Sequence, residues 1–255
     1  MKNKKLAILK NDSWLEPYAD AINGRHNDAI EKERELTCEC GNLVDFANAH
    51  CYFGLHREKD GSWVFREWAP NATAITLIGD FSDWKEMAGY SLHRLDGGVW
   101  ELKLPSTALH HGDFYKMSVK WDGGAGERIP AYATRVVQDE NTHLFSAQVW
   151  SPEKPYKWKD KEFTPDVHPL LIYECHIGMA QEKEAVGTYA EFRDLVLPRI
   201  AKDGYNAIQI MAIQEHPYYG SFGYHVSSFF APSSRFGTPE DLKSLIDKAH
   251  SYGIA

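Results

Sequence analysis

The sequence lacks several features that would place a protein in a membrane, in a secretory pathway or on nucleic acid. It has no run of about 18 apolar residues, so we expect no membrane-spanning helix. The apolar stretch LAIL at residues 6–9 is too short for the hydrophobic region of a signal peptide. Basic residues are scattered and the formal net charge is −8, which argues against a nucleic-acid partner. These absences predict a cytoplasmic protein that binds neither membrane nor nucleic acid.

Cysteine is also sparse, with four in 255 residues. Cys38 and Cys40 form a CxC pair, and His50 with Cys51 follows, so a metal site is one alternative. The spacing fits no zinc pattern. We therefore expect reduced structural thiols and no bound metal.

Aromatic residues, in contrast, are plentiful: 8 Trp, 13 Tyr and 12 Phe. Large flat side chains build cores, and they also stack on flat ligands such as sugar rings. The stretch HPYYGSFGYHVSSFFAPSSRFG, residues 216–237, holds seven of these aromatics among loop-forming residues. The composition alone leaves open whether this stretch is packed core or a binding surface.

The first 50 residues are predicted to form a helical arm. Ser13 and Glu16 have the spacing of a capping box, in which a hydroxyl and a carboxylate satisfy each other's free backbone amides. Gly24 is expected to divide the arm into two helices.

Residues 51–150 are predicted to form an all-β, immunoglobulin-like sandwich. WVFREW (63–68), VWELKL (99–104) and FYKMSVKW (114–121) each alternate between apolar and polar side chains, as half-buried antiparallel strands do. Turn sequences such as KDGS, LDGG and WDGG separate them. Residues 151–169 contain four prolines and are predicted to be an extended linker.

From residue 170 the pattern changes to alternating strands and helices. LLIYECHIG (170–178) and NAIQIMAI (206–213) are predicted strands, and the helix between them is expected to begin with a capping box at Thr188 and to kink at Pro198. This βαβ unit predicts a parallel sheet covered on both faces.

A second helix is expected to start at Thr238, with Pro239 in its first turn, and to stop at Gly253. The alternation then predicts a third strand near Ile254. Since two parallel strands alone cannot bury both faces, we interpret the sequence as cut inside a larger α/β domain.

Four stretches resemble one family, the 1,4-α-glucan (glycogen and starch) branching enzymes of the α-amylase superfamily. EWAPNATAITLIGDFSDW (67–84) is similar to their β-sandwich module, and ERIPAYATRVVQDE (127–140) to the end of that module. IYECHIG (172–178) resembles the first strand of their (β/α)8 barrel. Residues 205–254 are similar to the second strand, the following loop and the second helix of the eukaryotic-like group. The resemblance implies that residues 170–255 are the start of a truncated TIM barrel.

The resemblance also implies the reaction and its partner, an α-glucan polysaccharide such as glycogen, amylose or amylopectin. An α-1,4-glucan is cleaved with retention and transferred to a 6-hydroxyl, which creates an α-1,6 branch without a metal or organic cofactor. Such chemistry needs two carboxylates roughly 5 Å apart. In the family these follow barrel strands four and five, which this chain does not reach. We therefore assign no catalytic residue, not even Glu174 or Glu215, and expect the chain alone to be inactive.

Two aromatic residues match substrate-stacking positions of the resembled family. Tyr224, in FGYHV, matches the tyrosine that stacks on the sugar at the cleavage subsite. Trp84, in GDFSDW, matches the position where related modules stack a glucan. For each residue, packing within its own domain is the alternative.

Three further residues are candidates for site support: Glu215, His216 and His225. For Glu215 and His216 we favour ordering of the loop over substrate contact. His225 stands where some family members have glutamine, and either side chain can hydrogen-bond a sugar hydroxyl. His176 is expected to be a satisfied buried histidine, and most of the remaining aromatics of the stretch are expected to form loop core.

Two alternative functions remain open at the level of sequence. One is a stand-alone glucan-binding or regulatory protein that uses the sandwich alone. The other is a fragment of a debranching relative that has the same module and barrel. The oligomeric state is not indicated by the sequence.

Overall fold

The computed structural model describes residues 6–160, 162–166 and 168–255. The chain divides into two compact units, Met1–Tyr52 and Phe53–Ala255. The described part of the first unit contains α-helices α1 (Ala7–Asn11), α2 (Ala19–Thr37), α3 (Leu43–Phe46) and α4 (Ala49–Tyr52), with a 3₁₀ helix over Ser13–Tyr18.

Two local predictions for this unit are wrong. Gly24 does not divide a helix, since α2 runs through it without interruption; a glycine inside a helix costs only about 1 kcal/mol relative to alanine. Ser13 and Glu16 do not form the capping box. Asp12 caps the 3₁₀ helix instead, and its carboxylate accepts the backbone N–H of Trp14 at 2.9 Å.

The second unit begins with two antiparallel sheets that share one core. Their strands are β1 (Gly54–Arg57), β2 (Trp63–Trp68), β3 (Ala72–Gly79), β4 (His93–Arg94), β5 (Val99–Leu104), β6 (Phe114–Trp121), β7 (Gly124–Arg128), β8 (Val136–Gln138) and β9 (Phe145–Gln148). One sheet has the order β1-β2-β5-β4, and the other has β3-β6-β9-β8 with β7 paired to β6. The three strands predicted at 63–68, 99–104 and 114–121 are confirmed.

The alternation along these strands explains how they build the core. In β6, Tyr115 and Met117 are buried, whereas Lys116 and Ser118 on the other face are only partly buried. The ring of Tyr115 meets that of Phe65 from β2 edge to face, with centroids 6.5 Å apart. Burial raises the pKa of Tyr115, so its hydroxyl stays neutral inside the core.

The remainder of the second unit contains the predicted βαβ unit. Strand β10 (Ile172–Cys175) pairs in parallel with β11 (Ala207–Ile210). Between them lie α5 (Tyr189–Glu191), a π-helical turn over Phe192–Val196, and α6 (Leu197–Lys202). The π-turn ends at Val196, and Pro198 lies in the first turn of the α-helical segment that follows. The regular α-helix is thus interrupted next to the proline, which cannot donate the hydrogen bond that would continue an α-helix.

Both predicted helix starts are confirmed. Thr188 accepts the N–H of Glu191 and the Glu191 carboxylate accepts that of Thr188. Thr238 and Asp241 form the same reciprocal pair at the start of α7 (Pro239–Ser251), which has Pro239 in its first turn. The chain then turns at Gly253, with φ of +76°.

The prediction that the parallel sheet is covered on both faces is wrong for the described residues. Helices pack on the face that carries Tyr173, Cys175, Ile208 and Ile210. The other face presents Glu174 directly opposite Gln209, and both are exposed. These two polar residues interrupt the apolar runs that had suggested full burial.

No strand is assigned where the third strand was predicted, but Ala255 hydrogen-bonds to residues of the β11 segment. Ala255 donates its N–H to the carbonyl of Asn206 at 3.0 Å and accepts the N–H of Ile208 at 2.8 Å. Ala255 thus bonds to Asn206 and Ile208, the residues on either side of Ala207. One residue bonding to two residues spaced in this way is typical of a parallel ladder. Ala255 therefore lies beside β11, on the edge away from β10.

The segment between the sheets and β10 has no helix or strand in its described residues, and α7 anchors it. Buried Asp247 accepts the hydroxyl of Tyr156 at 2.7 Å and the backbone N–H groups of Lys159 and Asp160 at 3.1 and 3.2 Å. The ring of Phe163 stacks on His250, with centroids 4.0 Å apart. Among the described residues, no helix combines the length and the apolar character needed to cross a bilayer.

Candidate functional site

The first candidate site is the loop after β11, which is closed at its base by a short hairpin. Strand β12 (Gln214–Glu215) pairs antiparallel with β13 (Ser228–Pro232), and residues 216–227 form the loop between them. The carbonyl of Glu215 accepts both the N–H and the hydroxyl of Ser227, at 2.9 and 3.1 Å. The two ends of the loop are thus held together by Glu215.

The carboxylate of Glu215 is fully buried and engaged by its own surroundings. One oxygen accepts the N–H of His216 at 3.1 Å and the hydroxyl of Ser233 at 3.2 Å, and the other accepts the N–H of Ser234 at 2.7 Å. Its exposed fraction is 0%. A carboxylate held in this way stabilises the loop and is not available to attack a substrate.

Two buried histidines pack around Phe236 beneath the loop. Nε2 of His176 donates to the carbonyl of Phe222 at 2.9 Å, and Nδ1 of His216 donates to that of Gln214 at 3.1 Å. The second ring nitrogen of each has no partner among the described residues. His176 is buried as expected, but only one of its two nitrogens is satisfied.

The tip of the loop turns through left-handed backbone conformations. Phe222 has φ of +52° and Gly223 of +84°. A Cβ on Gly223 would lie 2.3 Å from the carbonyl oxygen of Ala212, so only glycine fits there. The turn brings Tyr224 back over β11, where its hydroxyl lies 3.3 Å from the sulfur of Met211.

The side chain of Tyr224 remains 65% exposed although the base of its loop is buried. His225 is exposed as well. The loop therefore combines a buried scaffold, which includes Glu215 and His216, with an accessible aromatic face at Tyr224. Such a combination suits stacking on a ligand, because a fixed scaffold keeps the ring in place.

The second candidate site lies on the sandwich around Trp84. Asp83 and Trp84 both have positive φ, 49° and 59°, which is uncommon for bulky side chains and tends to occur at functional positions. The indole N–H of Trp84 donates to the Asp80 carboxylate at 3.0 Å, and the other oxygen of Asp80 accepts the N–H of Phe114 at 2.7 Å. These bonds hold the indole ring in place with 39% of the side chain exposed.

Trp84 lines a groove of about 410 Å³ in which both charged and apolar side chains converge. The ammonium of Lys116 lies 5.8 Å from the centroid of the Trp84 ring and 3.0 Å from a carboxylate oxygen of Glu127. Asp139, Thr142 and other residues of the β8–β9 hairpin form the opposite wall. An aromatic face with hydrogen-bonding groups around it has the chemistry of a sugar-binding groove.

The structure distributes the five sequence-predicted residues over these two sites. Glu215, His216, Tyr224 and His225 belong to the loop, whereas Trp84 belongs to the groove on the sandwich. The sequence gave no signal that Lys116 lies against Trp84, and none that Asp139 and Thr142 of the hairpin line the same groove. Lys116, Asp139 and Thr142 lie far from Trp84 in sequence, so no local pattern reveals that they line the same groove.

Comparison with known proteins finds one family model and several enzymes that are similar to this chain. Residues 52–133 match the family model of carbohydrate-binding module 48, the isoamylase N-terminal domain. The 1,4-alpha-glucan-branching enzyme of Dictyostelium discoideum is 42% identical over 97% of this chain, and that of Yarrowia lipolytica is 42% identical over 98%. The chain spans only 37% of the length of each of these relatives.

A solved structure supports the fold independently. A putative alpha amylase from Salmonella typhimurium superimposes with a TM-score of 0.65, covering 80% of this chain and 32% of that one, at 22% identity. At this identity the likeness concerns the fold. Together with the sequence matches it shows that the chain, with its carbohydrate-binding module and α-amylase-like fold, belongs to the family of the 1,4-alpha-glucan-branching enzymes.

Proposed function

We propose that this chain forms the glucan-binding and loop-bearing portion of a 1,4-α-glucan branching enzyme. In this proposal residues 1–50 are a helical arm, residues 51–150 a glucan-binding sandwich, residues 151–169 a linker, and residues 170–255 the first β/α units of a (β/α)8 barrel. The single observation that carries the functional part is Tyr224, whose exposed ring stands on a buried scaffold at the carboxyl end of a parallel strand. Ligands bind at that end of the strands in barrels of this kind.

The arrangement around β10 and β11 supports the barrel part of the proposal. Helices lie on one face of this sheet, the opposite face carries polar Glu174 and Gln209, and Ala255 hydrogen-bonds to the outer edge of β11. A barrel strand has a helix on its outer side and layered side chains on its inner side. The three observations together fit strands one and two of a barrel with a third strand beginning beside them.

In this proposal the chain binds α-glucan but does not cleave its glycosidic bonds. Retaining glycosyl transfer needs a free carboxylate as nucleophile and a second one as acid and base. Glu215 is closest in sequence to the Tyr224 loop, and its carboxylate is occupied by three hydrogen bonds inside the fold. We assign to Tyr224 and Trp84 the role of stacking on glucose rings, and to exposed His225 that of hydrogen-bonding a hydroxyl of the sugar at Tyr224.

The test is an incubation of the 255-residue chain with amylose, followed by iodine staining and by separation of the products after debranching. We expect no change in the iodine colour and no new chain lengths, together with binding of maltoheptaose that quenches tryptophan fluorescence. Branching by the chain alone would overturn the assignment of the reactive groups to other parts of the enzyme.

A stand-alone glucan-binding protein is the second candidate. The module match favours it for residues 52–133, but the branching-enzyme relatives match along 97% of the chain, including the whole loop region. A chain that binds glucan through Trp84 alone, with no contribution from Tyr224, would favour this second candidate.

A further inference from the structure

The β8–β9 hairpin of the sandwich borders both candidate sites. Asp139, Thr142 and Ser146 of this hairpin form a wall of the Trp84 groove. From the same hairpin, Gln138 reaches Arg235, which follows the Tyr224 loop in sequence. A single structural element therefore connects the groove to the loop.

Arg235 makes this connection through one atom of its guanidinium group. Nη2 donates to the side-chain carbonyl of Gln138 at 3.2 Å, to the backbone carbonyl of Pro217 at 3.2 Å and to that of His216 at 3.4 Å. His216 and Pro217 are the first two residues of the loop. Gln138 is itself fixed, because its amide donates to the carbonyl of His143 at 2.9 Å.

A second arginine holds the far end of the same segment. Buried Arg135, immediately before β8, donates to the carbonyl of Gly237 at 2.8 Å, and its guanidinium lies 5.0 Å from the centroid of Trp150. Trp150 in turn donates its indole N–H to Glu240 of α7 at 2.8 Å. The sandwich thus contacts the segment 216–240 at both ends. It also packs on β13, where Phe230 stacks on Tyr132 with centroids 4.5 Å apart and Ala231 joins the sandwich core. Arg235 carries the contact from the β8–β9 hairpin to the first two residues of the loop.

We propose that Arg235 is a positioning residue for the Tyr224 loop, through which the β8–β9 hairpin fixes the base of that loop. A glucan that orders the hairpin from the Trp84 groove then also restrains the loop, and by reciprocity a glucan on the loop favours binding in the groove. The ligand part of this inference rests on the proposed function. The ligand-free part rests only on the contacts of Arg235.

Hydrogen exchange followed by mass spectrometry tests the ligand-free part in the 255-residue chain. In Arg235→Ala we expect amides of residues 216–227 to exchange about tenfold faster, because the base of the loop opens more often. Gln138→Ala should give a smaller change in the same peptides. Arg235→Lys should restore part of the slow exchange, since an ammonium group can also donate to several carbonyl oxygens.

Arg94→Ala is the matched control for this comparison. Arg94 also donates to backbone carbonyls, those of Pro70 and Ala72 at 2.7 and 3.5 Å, but entirely within the sandwich. Its removal should speed exchange around residues 69–73 and leave the loop unchanged. If Arg235→Ala unfolds the whole chain, the exchange of the loop amides in Gln138→Ala tests the proposal instead. Unchanged loop exchange in a folded Arg235→Ala, or in Gln138→Ala when Arg235→Ala does not fold, overturns the proposal.

The ligand part is tested with maltoheptaose in a Tyr224→Ala background, which removes direct stacking on the loop. In Tyr224→Ala we expect maltoheptaose to slow hydrogen exchange both in the β8–β9 hairpin and in residues 216–227. In the double variant that also carries Arg235→Ala, we expect maltoheptaose to slow exchange in the hairpin only. Slowing in the hairpin without slowing in the loop contradicts the coupling but leaves glucan binding intact. Absence of slowing in the hairpin contradicts the proposed function of the groove, while the ligand-free comparison still decides the role of Arg235.

Discussion

The carboxylate of Glu215 accepts the backbone N–H of Ser234 at 2.7 Å, so that the residue before the Tyr224 loop is joined directly to the second residue after its closing strand. This bond lies in a region from which solvent is excluded, since Glu215 is 0% exposed. The position of the loop therefore depends on a buried charge-assisted hydrogen bond, which is stronger than a bond between neutral groups.

Replacement of Glu215 by glutamine should destabilise the chain. A carboxamide has one accepting oxygen, so the N–H of either His216 or Ser234 loses its partner in a buried site. An unsatisfied buried donor costs about 1–3 kcal/mol, which urea unfolding followed by circular dichroism can measure. Glu86→Gln is the control, because Glu86 forms an exposed ion pair with Lys120 and such pairs contribute at most about 1 kcal/mol. Equal changes in the two variants would contradict the role given to Glu215.

Two glycine substitutions should act in opposite directions. Gly223→Ala places a Cβ 2.3 Å from the carbonyl oxygen of Ala212 at a positive φ, so it should destabilise the loop and weaken glucan binding. Gly24→Ala has no atom within 4 Å of the new Cβ and lies inside α2, so it should stabilise that helix by about 0.5–1 kcal/mol. Thermal unfolding of both variants and maltoheptaose binding by Gly223→Ala provide the check. Normal binding by Gly223→Ala would show that the turn does not determine the position of Tyr224.

Acid should weaken the attachment of the linker segment to α7. Burial raises the pKa of Asp247, but hydrogen bonds from Tyr156 and from the backbone of Asp160 and Lys159 outweigh it and hold this pKa below its ordinary value. A carboxyl whose pKa is lower in the folded than in the unfolded state contributes stability at higher pH, and this contribution is lost as the pH falls through the folded value. Asp247→Asn should therefore be less stable than the parent at neutral pH, and the difference should shrink as the pH falls below the ordinary aspartate pKa of about 4.

Urea unfolding of both proteins from neutral to acidic pH measures the difference directly. Asp203→Asn, which changes an exposed carboxylate at the end of α6, is the control. A difference between parent and Asp247→Asn that does not vary with pH would contradict the assignment.

The thiols should differ in reactivity according to their burial. Burial, with a smaller contribution from Glu174, raises the pKa of Cys175 to about 12, so its thiolate is scarce at neutral pH. Cys38 and Cys51 are exposed. Maleimide labelling of the native chain at pH 7 should modify the exposed pair within minutes and leave Cys175 unmodified until the chain is unfolded. Rapid native labelling of Cys175 would show that β10 is not packed as described.

The sequence predicted best those features that depend on near neighbours. The strands at 63–68, 99–104 and 114–121 follow from alternation, and the helix starts at Thr188 and Thr238 follow from the spacing of a hydroxyl and a carboxylate. The prediction at Gly24 was wrong because the free-energy cost of one glycine is small, and helix-forming residues lie on both sides of it. The prediction that both faces of the parallel sheet are covered was wrong because Glu174 and Gln209 make one face polar. They come to lie opposite each other only when β10 pairs with β11, which the separate strand sequences do not show.

The features that hold the candidate sites together were beyond local patterns. Arg235 and Gln138 are 97 residues apart in sequence, and Lys116 on β6 reaches the Trp84 ring from a distant part of the sequence. Tyr224 and Trp84 themselves were found through their resemblance to family positions. Their exposure, and the buried scaffold under Tyr224, needed the structure.

Affinity electrophoresis in native gels with and without glycogen tests the central claim most directly. The account predicts that glycogen retards the parent chain, that Trp84→Ala and Tyr224→Ala each reduce the retardation in proportion to an affinity loss of about tenfold, and that Trp14→Ala changes nothing. Trp14 is the matched control, because it is 87% exposed but lies in the first unit. Migration of the parent chain that glycogen does not alter, or an equal loss of retardation in Trp14→Ala, would contradict the account.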